Sequence, residues 1–294
     1  MERGWLSANN IVFVGRDQAA VVDTGYVTHS DQTLALIEAT LAGRPLDLIL
    51  NTHLHSDHCG GNAALQARYP GVETRIPPGE ASLVETWDED GLSFRTTGQN
   101  CPRFRFDALL QAGHEVVLGD IPWEVHAAPG HDPHSIILWE PRSRTLISAD
   151  ALWENGFGVV FPELSGEPSF DEVAATLDVI EALHPLRVIP GHGAVFDEVA
   201  GALRSARSRL EGFARDPAKH AWHAVKVLVK FKLLEVQSMS NEEWQSWVQQ
   251  TPYLETIRAR FFPASTLEDL SAQALAALVK TGAASATAER IQNR

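Results

Sequence analysis

Four side chains that can bind a metal ion lie within the six-residue run His53-Leu54-His55-Ser56-Asp57-His58. Neutral imidazoles suit borderline cations such as Zn²⁺, and a carboxylate adds an anionic oxygen. No single face of a regular helix or strand presents all four, but a loop can turn them inward together. The alternative is a polar surface loop with exposed histidines. The run therefore predicts a metal site, provided that more distant residues complete it.

Three further ligand-type residues stand where short apolar segments end. His131 and His192 each follow a Pro-Gly pair, and Asp150 follows the run Leu146-Ile147-Ser148-Ala149. Open α/β architectures place their sites at the carboxyl ends of buried strands. Each residue alone is more typical of a surface loop. Together with the first run they supply five His and two Asp, which exceeds the four ligands of one tetrahedral zinc and favours two cations.

Strands and helices that alternate over the first two thirds of the chain must position these residues. Apolar runs predict a hairpin over 10–24, and a buried strand over 46–50 leads into the histidine run. A helix with Ser30 as its cap is predicted between them, and another over 169–183. Further short strands are predicted at 115–118, 121–127, 135–140, 144–149 and 187–189.

Residues 77–113 form a long connection without a clear pattern, of the kind that is usually functional. Its aromatic residues either form a lid over the metals or pack the edge of the core; they are Trp87, Phe94, Phe104 and Phe106. Cys59 directly follows His58, and we favour a buried thiol over a metal ligand for it.

After residue 196 the sequence predicts helices only. We expect a metal-binding catalytic domain over 1–200 and a helical domain over 201–294. The segment 219–232 is basic and amphipathic. A solvated face is the favoured interpretation, and contact with an anionic substrate, nucleic acid or anionic surface is the alternative. His220 and His223 in this segment lack a third ligand nearby.

Composition restricts the partners. The net charge is −14, from 24 Lys+Arg against 38 Asp+Glu, which disfavours nucleic acid as a partner. No run approaches the roughly 20 apolar residues of a membrane span, and the start lacks the pattern of a signal peptide. Two cysteines cannot form a disulfide scaffold. We therefore expect a cytoplasmic protein with a small-molecule substrate and no membrane contact; a homodimer stays open.

The pattern His53-x-His55-x-Asp57-His58, followed by His131, Asp150 and His192, resembles the metallo-β-lactamase superfamily. The early Asp23-Thr24-Gly25 is also similar, and the resemblance covers residues 8–195. It implies an α+β fold, a four-layer αβ/βα sandwich with a two-metal centre at one edge. It also implies how the ligands divide: His53, His55 and His131 hold the first metal, Asp57, His58 and His192 hold the second, and Asp150 bridges them.

The activity implied is that of a binuclear metallohydrolase with two divalent ions. Zinc is the expected metal, and iron or manganese are alternatives. Two ions sharing a water lower its pKa, so a metal-bridging hydroxide is the expected nucleophile. Asp57 is the expected catalytic residue, because it can orient this hydroxide as well as bind metal. The bond attacked is of the carboxyl type: a thioester, lactone, ester or amide.

Subgroup and substrate stay open at this stage. The helical tail and complete ligand set resemble glyoxalase II-like thioesterases, and Pro190-Gly191-His192-Gly193 with such a tail is more similar to the LACTB2-like group, whose tail is winged-helix-like. Phosphodiester or RNA cleavage is therefore an alternative, as is a sulfur dioxygenase with a single iron. A non-catalytic scaffold conflicts with the complete ligand set. His134 is a weak candidate for a substrate contact.

Overall fold

The computed structural model describes residues 1–294 and contains two five-stranded sheets that face each other. The first sheet has the order β1-β2-β3-β4-β5, and its strands are β1 Ile11–Val14, β2 Ala19–Val22, β3 Leu48–Leu50, β4 Glu73–Ile76 and β5 Ala108–Leu109. The β1–β2 hairpin is antiparallel, and the other pairs are parallel. The predicted hairpin is thus confirmed.

The second sheet has the order β10-β9-β8-β7-β6. Its strands are β6 Glu115–Leu118, β7 Ile121–Ala127, β8 Ile136–Glu140, β9 Thr145–Ala149 and β10 Arg187–Pro190. Only the β9–β10 pair is parallel. Both sheets are therefore mixed, as the resemblance implied.

Three apolar layers hold this unit together. Side chains such as Val22 and Leu50 meet Leu138 and Ile147 between the sheets. Helices α1 (Ser30–Leu41) and α3 (Asn62–Arg68) cover the outer face of the first sheet, where Ile37 is fully buried. Helices α6 (Phe170–Leu183) and α7 (Val199–Arg215) cover the second sheet. The αβ/βα sandwich is confirmed.

Ser30 differs from its predicted role. It is the first residue of α1 rather than its cap, and His29 stands at the cap position without a side-chain hydrogen bond. Ser30 Oγ has no hydrogen-bond partner.

The connection over 77–113 contains a 3₁₀ turn (Pro78–Glu80), one short α-helix, α4 (Ala81–Thr86), and strand β5. Its aromatic side chains do not cover the metal-binding residues. Phe94 and Phe104 are buried in a small core with Leu54 and Cys59, and Trp87 and Phe106 pack against that core. Of the two interpretations, packing at the edge of the sandwich is the one found, because these side chains bury more apolar surface there.

The last third of the chain builds a second core. Its helices are α8 Pro217–Val236, α9 Asn241–Gln249, α10 Pro252–Phe261 and α11 Leu267–Lys280. Buried residues of all four pack together, with Val159 and Leu164 from the sandwich side. The expectation that no strands follow residue 196 was wrong. A small antiparallel sheet has the order β11-β13-β12, from Ser238–Ser240, Arg290–Asn293 and Ala284–Ala286.

Helix α7 lies at the predicted domain boundary. Its buried residues, among them Leu203 and Leu210, belong to the core of the sandwich, whereas the second core starts with Ala221 in α8. Asp216 separates the two helices and caps α8 by accepting a hydrogen bond from the backbone of Lys219. None of the helices combines the length and apolar character that a membrane crossing requires.

Candidate metal centre

The histidine run leaves the buried end of β3 and enters a four-residue helix, α2 (Ser56–Cys59). Asn51 Nδ2 donates to the His58 carbonyl at 3.1 Å, and the Thr24 backbone N–H donates to the same oxygen at 2.7 Å. The His58 N–H donates to the His55 carbonyl at 2.9 Å in the first turn of α2, so that side chains close in sequence point into one space. The loop after β3 presents His53 and His55, and the short helix presents Asp57 and His58, so a loop alone, as expected from the sequence, does not present all four.

Three imidazoles form the first cluster. His53 Nε2 lies 3.1 Å from His55 Nδ1, and His55 Nδ1 lies 2.8 Å from His131 Nε2. His131 comes from the loop after β7, whereas the other two follow β3. Nitrogens of three rings therefore converge on one point, within 4.8 Å of one another.

Asp57, His58 and His192 form the second cluster. His192 Nε2 lies 3.1 Å from Asp57 Oδ2. Asp150 stands between the two clusters. Its Oδ2 lies 3.5 Å from His131 Nε2, and its Oδ1 lies 3.4 Å from His58 Nε2. The structure thus brings all seven predicted ligands to one edge of the sandwich, with one carboxylate facing both clusters.

Hydrogen bonds on the outer side fix two of the rings. His131 Nδ1 lies 2.5 Å from the Val159 carbonyl, which can only accept, so Nδ1 carries a proton and Nε2 presents a lone pair to the site. His58 Nδ1 lies 2.8 Å from Asp23 Oδ2. Metal-binding histidines characteristically donate their other N–H in this way, which fixes the ring and raises its basicity.

The first cluster is electrically neutral. Burial lowers the pKa of His53 well below its usual range, and it lowers the pKa of His55 and of His131 to about 4. Neutral imidazole is the form that binds metal. Burial raises the pKa of Asp150, but the nearby His192 and His58 more than offset this, so its pKa lies well below its usual range. Asp150 is therefore a carboxylate at neutral pH.

Glycines allow this close packing. A Cβ on Gly191 would lie 2.2 Å from Asp150 Oδ1, and a Cβ on Gly158 would lie 2.4 Å from His131 Nδ1. Any larger residue at either position would displace a ligand. The Pro-Gly pair before His192 therefore makes room for Asp150.

These residues fit metal ions. His58 Nε2 is buried and has no hydrogen-bond partner, although its ring faces the shared space. No Lys or Arg forms an ion pair with Asp57 or Asp150; the only basic side chains within 4 Å of their carboxylates are histidines. Buried carboxylates are costly unless a cation compensates them. Divalent cations would complete the set, with nitrogen and oxygen donors that suit zinc or iron.

Aromatic side chains that the sequence did not single out surround the ligands. Trp5 stacks on His192, with ring centroids 5.6 Å apart, and the indole N–H of Trp153 donates to Asp150 Oδ1 at 3.2 Å. Phe161 lies edge-on to His55 at 5.2 Å. No local sequence motif predicts these contacts, apart from the closeness of Trp153 to Asp150 in the sequence.

A cavity of about 1000 Å³ opens from the metal-binding residues. His55, Asp57, His131, Asp150 and His192 line one end of it. Its other walls come from the connection over 77–113 and from α8, α10 and α11. The helical part of the chain thus forms part of the space next to the metal-binding residues.

The surroundings of three further residues show whether each can take part in the site. His134 is exposed and lines the cavity, next to Gly79, so it can contact a substrate. Cys59 points away from the ligands, into the small core with Cys101, with the two Sγ atoms 3.7 Å apart. His220 is buried and accepts a hydrogen bond from the Val160 N–H at 3.2 Å.

Comparison with known proteins decides the family. The family model described as metallo-beta-lactamase superfamily matches residues 3–192. The chain belongs to the metallo-beta-lactamase superfamily. The match covers both five-stranded sheets and ends at His192, whereas α7 and the helical region lie beyond it.

Two relatives of this superfamily member carry hydrolase-type names. A hydroxyacylglutathione hydrolase of Anaeromyxobacter dehalogenans is 34% identical over 69% of this chain and 69% of its own length. A beta-lactamase-like protein 2 homolog of Caenorhabditis elegans is 23% identical over 81% of this chain and 71% of its own. For three further hydroxyacylglutathione hydrolases, the share of the relative that is covered lies between 51% and 66%.

A solved structure agrees with the fold. The protein TTHA1623, described in a di-iron-bound form, superposes with a TM-score of 0.57 and 26% identity, over 70% of this chain and 97% of its own. The expected resemblance to glyoxalase II-like and LACTB2-like members is confirmed, and with the His/Asp clusters it makes this metallo-beta-lactamase superfamily member a metal-dependent hydrolase.

Proposed function

We propose that this protein is a binuclear metallohydrolase that cleaves thioesters. The observation that carries the proposal is the position of Asp150, whose two carboxylate oxygens face different histidine clusters at 3.4 and 3.5 Å. A carboxylate placed in this way suits a pair of cations better than one. His53, His55 and His131 would hold one ion, Asp57, His58 and His192 would hold the other, and Asp150 would contact both.

Metal ions bound there would supply a nucleophile at neutral pH by lowering the pKa of water. The residues around them have separate tasks. Asp57 lines the cavity and is partly exposed, so one of its oxygens can orient a water. Trp5 and Phe161 pack against the outer faces of the ligand rings and limit the access of bulk solvent.

The shape of the cavity supports a substrate with an apolar acyl part. Val227, Phe231 and Leu234 of α8 and Leu278 of α11 line the wall contributed by the second core. A concave space of this size suits a small molecule better than a polymer. This supports the expectation of a small-molecule substrate.

A thioester is the carboxyl-type bond whose leaving group least needs a proton donor. The pKa of a thiol is about 8.5, so a thiolate leaves near neutral pH without a strong proton donor beside it. An amide would need its leaving nitrogen protonated. The names of the hydroxyacylglutathione hydrolases support the same bond type.

Metal analysis and an activity screen test the proposal together. Elemental analysis of the purified protein should give near two divalent ions per chain, with zinc expected. The screen should compare a thioester, a lactone, a β-lactam and a phosphodiester, and the thioester should be hydrolysed fastest. His131→Ala should abolish that activity, whereas His114→Ala, at an exposed position, should preserve it. One ion per chain, or faster cleavage of the phosphodiester, would refute it.

A further inference from the structure

A recess of about 530 Å³ between α7 and α8 adjoins the cavity at the metal-binding residues. Arg209, His223 and Lys226 line both spaces, so the two are neighbours rather than separate sites. From the ligand Asp150, the wall of the cavity runs through Trp153 and Asn155 to Arg209. A molecule that extends from the metal-binding residues along this wall would approach the recess at Arg209.

The recess is cationic in a chain whose net charge is −14. Arg209, Lys219 and Lys226 line it, and no Asp or Glu does. None of the three forms an ion pair within 4 Å, whereas nine other arginines of the protein do. Positive charges that lie close together repel one another unless an anion or solvent compensates them. The recess therefore has a positive potential that no carboxylate of the protein compensates.

Arg209 is held in place rather than free. Its Nη2 donates to His223 Nε2 at 2.9 Å and its Nη1 to the Asn155 carbonyl at 3.2 Å, while its guanidinium lies over the Phe213 ring at 5.5 Å. Burial together with Arg209 and Lys226 lowers the pKa of His223 to about 3. His223 is therefore neutral and adds no charge, and it accepts from Arg209. A cation fixed in this way loses little entropy when an anion binds.

Hydroxyl and aromatic groups complete the recess. Ser205 and Ser208 bring two hydroxyls from α7, and each can donate to an oxyanion. The Trp222 ring lies beside them, with Lys226 Nζ 6.0 Å from its centroid. Several cations together with hydroxyl donors match the oxygens and double charge of a phosphate better than those of a single carboxylate.

Resting on the proposed thioesterase function, we infer that the recess binds the phosphorylated end of the thiol portion of the substrate. The acyl carbonyl lies at the metal-binding residues, and the thiol portion extends past Asn155 to Arg209, Lys219 and Lys226. The substrate class is thus an acyl thioester of a phosphorylated thiol. Water adds its oxygen to the acyl carbon, the carbon–sulfur bond breaks, and the products are a carboxylic acid and the free thiol that takes the second proton.

Three substrates with the same acyl group test this assignment: butyryl-coenzyme A, butyryl-pantetheine, which lacks phosphate, and butyrylglutathione, whose anionic groups are carboxylates. The wild-type protein should favour the coenzyme A ester in kcat/KM by about tenfold or more over the other two, since a charge-assisted contact contributes about that factor. Added salt should reduce this preference.

A double variant provides the matched comparison. In Lys219→Gln/Lys226→Gln, the ratio of kcat/KM between the coenzyme A and pantetheine esters should fall by about tenfold, mainly through KM. The ratio is measured on one preparation, so a partly misfolded variant does not alter it. Lys280→Gln removes one exposed cation at the end of α11, outside both spaces, and should keep the wild-type ratio.

Calorimetric titration with coenzyme A gives a second readout that does not depend on turnover. Its Kd should weaken by about tenfold in the double variant and stay unchanged in Lys280→Gln. If thioesters are cleaved but the three esters react equally, or if the double variant keeps the wild-type ratio, the recess assignment is wrong and the thioesterase function stands. If no thioester is cleaved, the function fails, and absence of coenzyme A binding then rejects the recess as well.

Discussion

Asp23 Oδ2 lies 2.8 Å from His58 Nδ1 and accepts a hydrogen bond from it, so the ring presents Nε2 toward Asp150. Asp23 is itself held by Thr52, whose N–H donates to Oδ1 at 2.9 Å and whose hydroxyl donates to Oδ2 at 2.8 Å. Asp23 belongs to neither cluster of candidate ligands, yet its hydrogen bond sets the orientation of His58, a proposed metal ligand.

Asp23→Asn tests that relationship. Asn keeps the shape of the side chain and tolerates the left-handed backbone at this position, where φ is 57°. It removes the charge that holds the His58 proton, so the affinity for the second metal should fall by about 10- to 100-fold. Competition with a metal chelator measures this. Asp17→Asn, in the exposed turn of the hairpin, is the control, and equal affinities in both variants would contradict the role of Asp23.

Loss of Asp150, which faces both clusters, should change the metal content differently from loss of His192, which belongs to one cluster. Asp150→Ala should abolish turnover and lower bound metal below two ions per chain, since its oxygens face both clusters. His192→Ala should mainly empty the site formed with Asp57 and His58 and leave about one ion. Elemental analysis of both variants separates these results. A normal metal content with full activity in Asp150→Ala would reject its bridging position.

Gly191→Ala tests the space reserved for Asp150. The added Cβ would lie 2.2 Å from Asp150 Oδ1 and 3.0 Å from the backbone of Ala149, so the carboxylate must move. We expect metal binding to weaken by about tenfold or more, because a ligand is displaced from its position. Gly71→Ala is the matched control, because nothing lies within 4 Å of its Cβ position. Titration with metal ions measures the affinity, and thermal unfolding of the metal-free protein shows whether the variant is still folded.

His220 predicts a loss of stability in acid. Burial lowers its folded-state pKa from 6.5 to about 4, so between these values the unfolded chain binds more protons. The contribution of neutral His220 to the free energy of unfolding should be complete above pH 6.5. It should fall as the pH drops toward 4, by up to about 1.4 kcal/mol per pH unit.

His220→Gln should flatten this dependence, because an amide oxygen can accept from Val160 without titrating. Urea unfolding of metal-free protein at pH 7.5 and 5.5 measures the difference, which should shrink by about 1 kcal/mol in the variant. The surface variant His114→Gln should behave like the wild type. Equal slopes in His220→Gln and wild type would show that His220 does not control the acid response.

The seven candidate ligands could be singled out from the sequence because they are concentrated in a few short segments. Four lie in one run, and His131, Asp150 and His192 each follow an apolar strand. Strand ends at one edge of a sandwich meet in space, so sequence order alone implied proximity. The structure places all seven there; the binding of metal by them stays a prediction.

Other parts of the protein gave no such signal. Strand β11 is Ser238-Met239-Ser240, with one buried side chain, so it has no run of alternating apolar residues to detect. Trp5 and His192 are far apart in sequence, and their stacking depends on the whole fold. The basic segment over 219–232 looked like a solvated face, yet Lys226 and Lys230 line the cavity because α8 packs across its mouth.

The buried Tyr26 hydroxyl donates to Glu235 at 3.0 Å and accepts from the Asn100 N–H, while Asn100 Nδ2 donates to the same carboxylate at 2.7 Å. Lys232 neutralises that carboxylate from the next turn of α8. Three distant stretches of chain are thereby joined by hydrogen bonds at one point beside the cavity. Separation of the helical region from the sandwich would break these bonds and expose the buried Tyr26 side chain, so we expect the cavity to keep its width when a molecule enters.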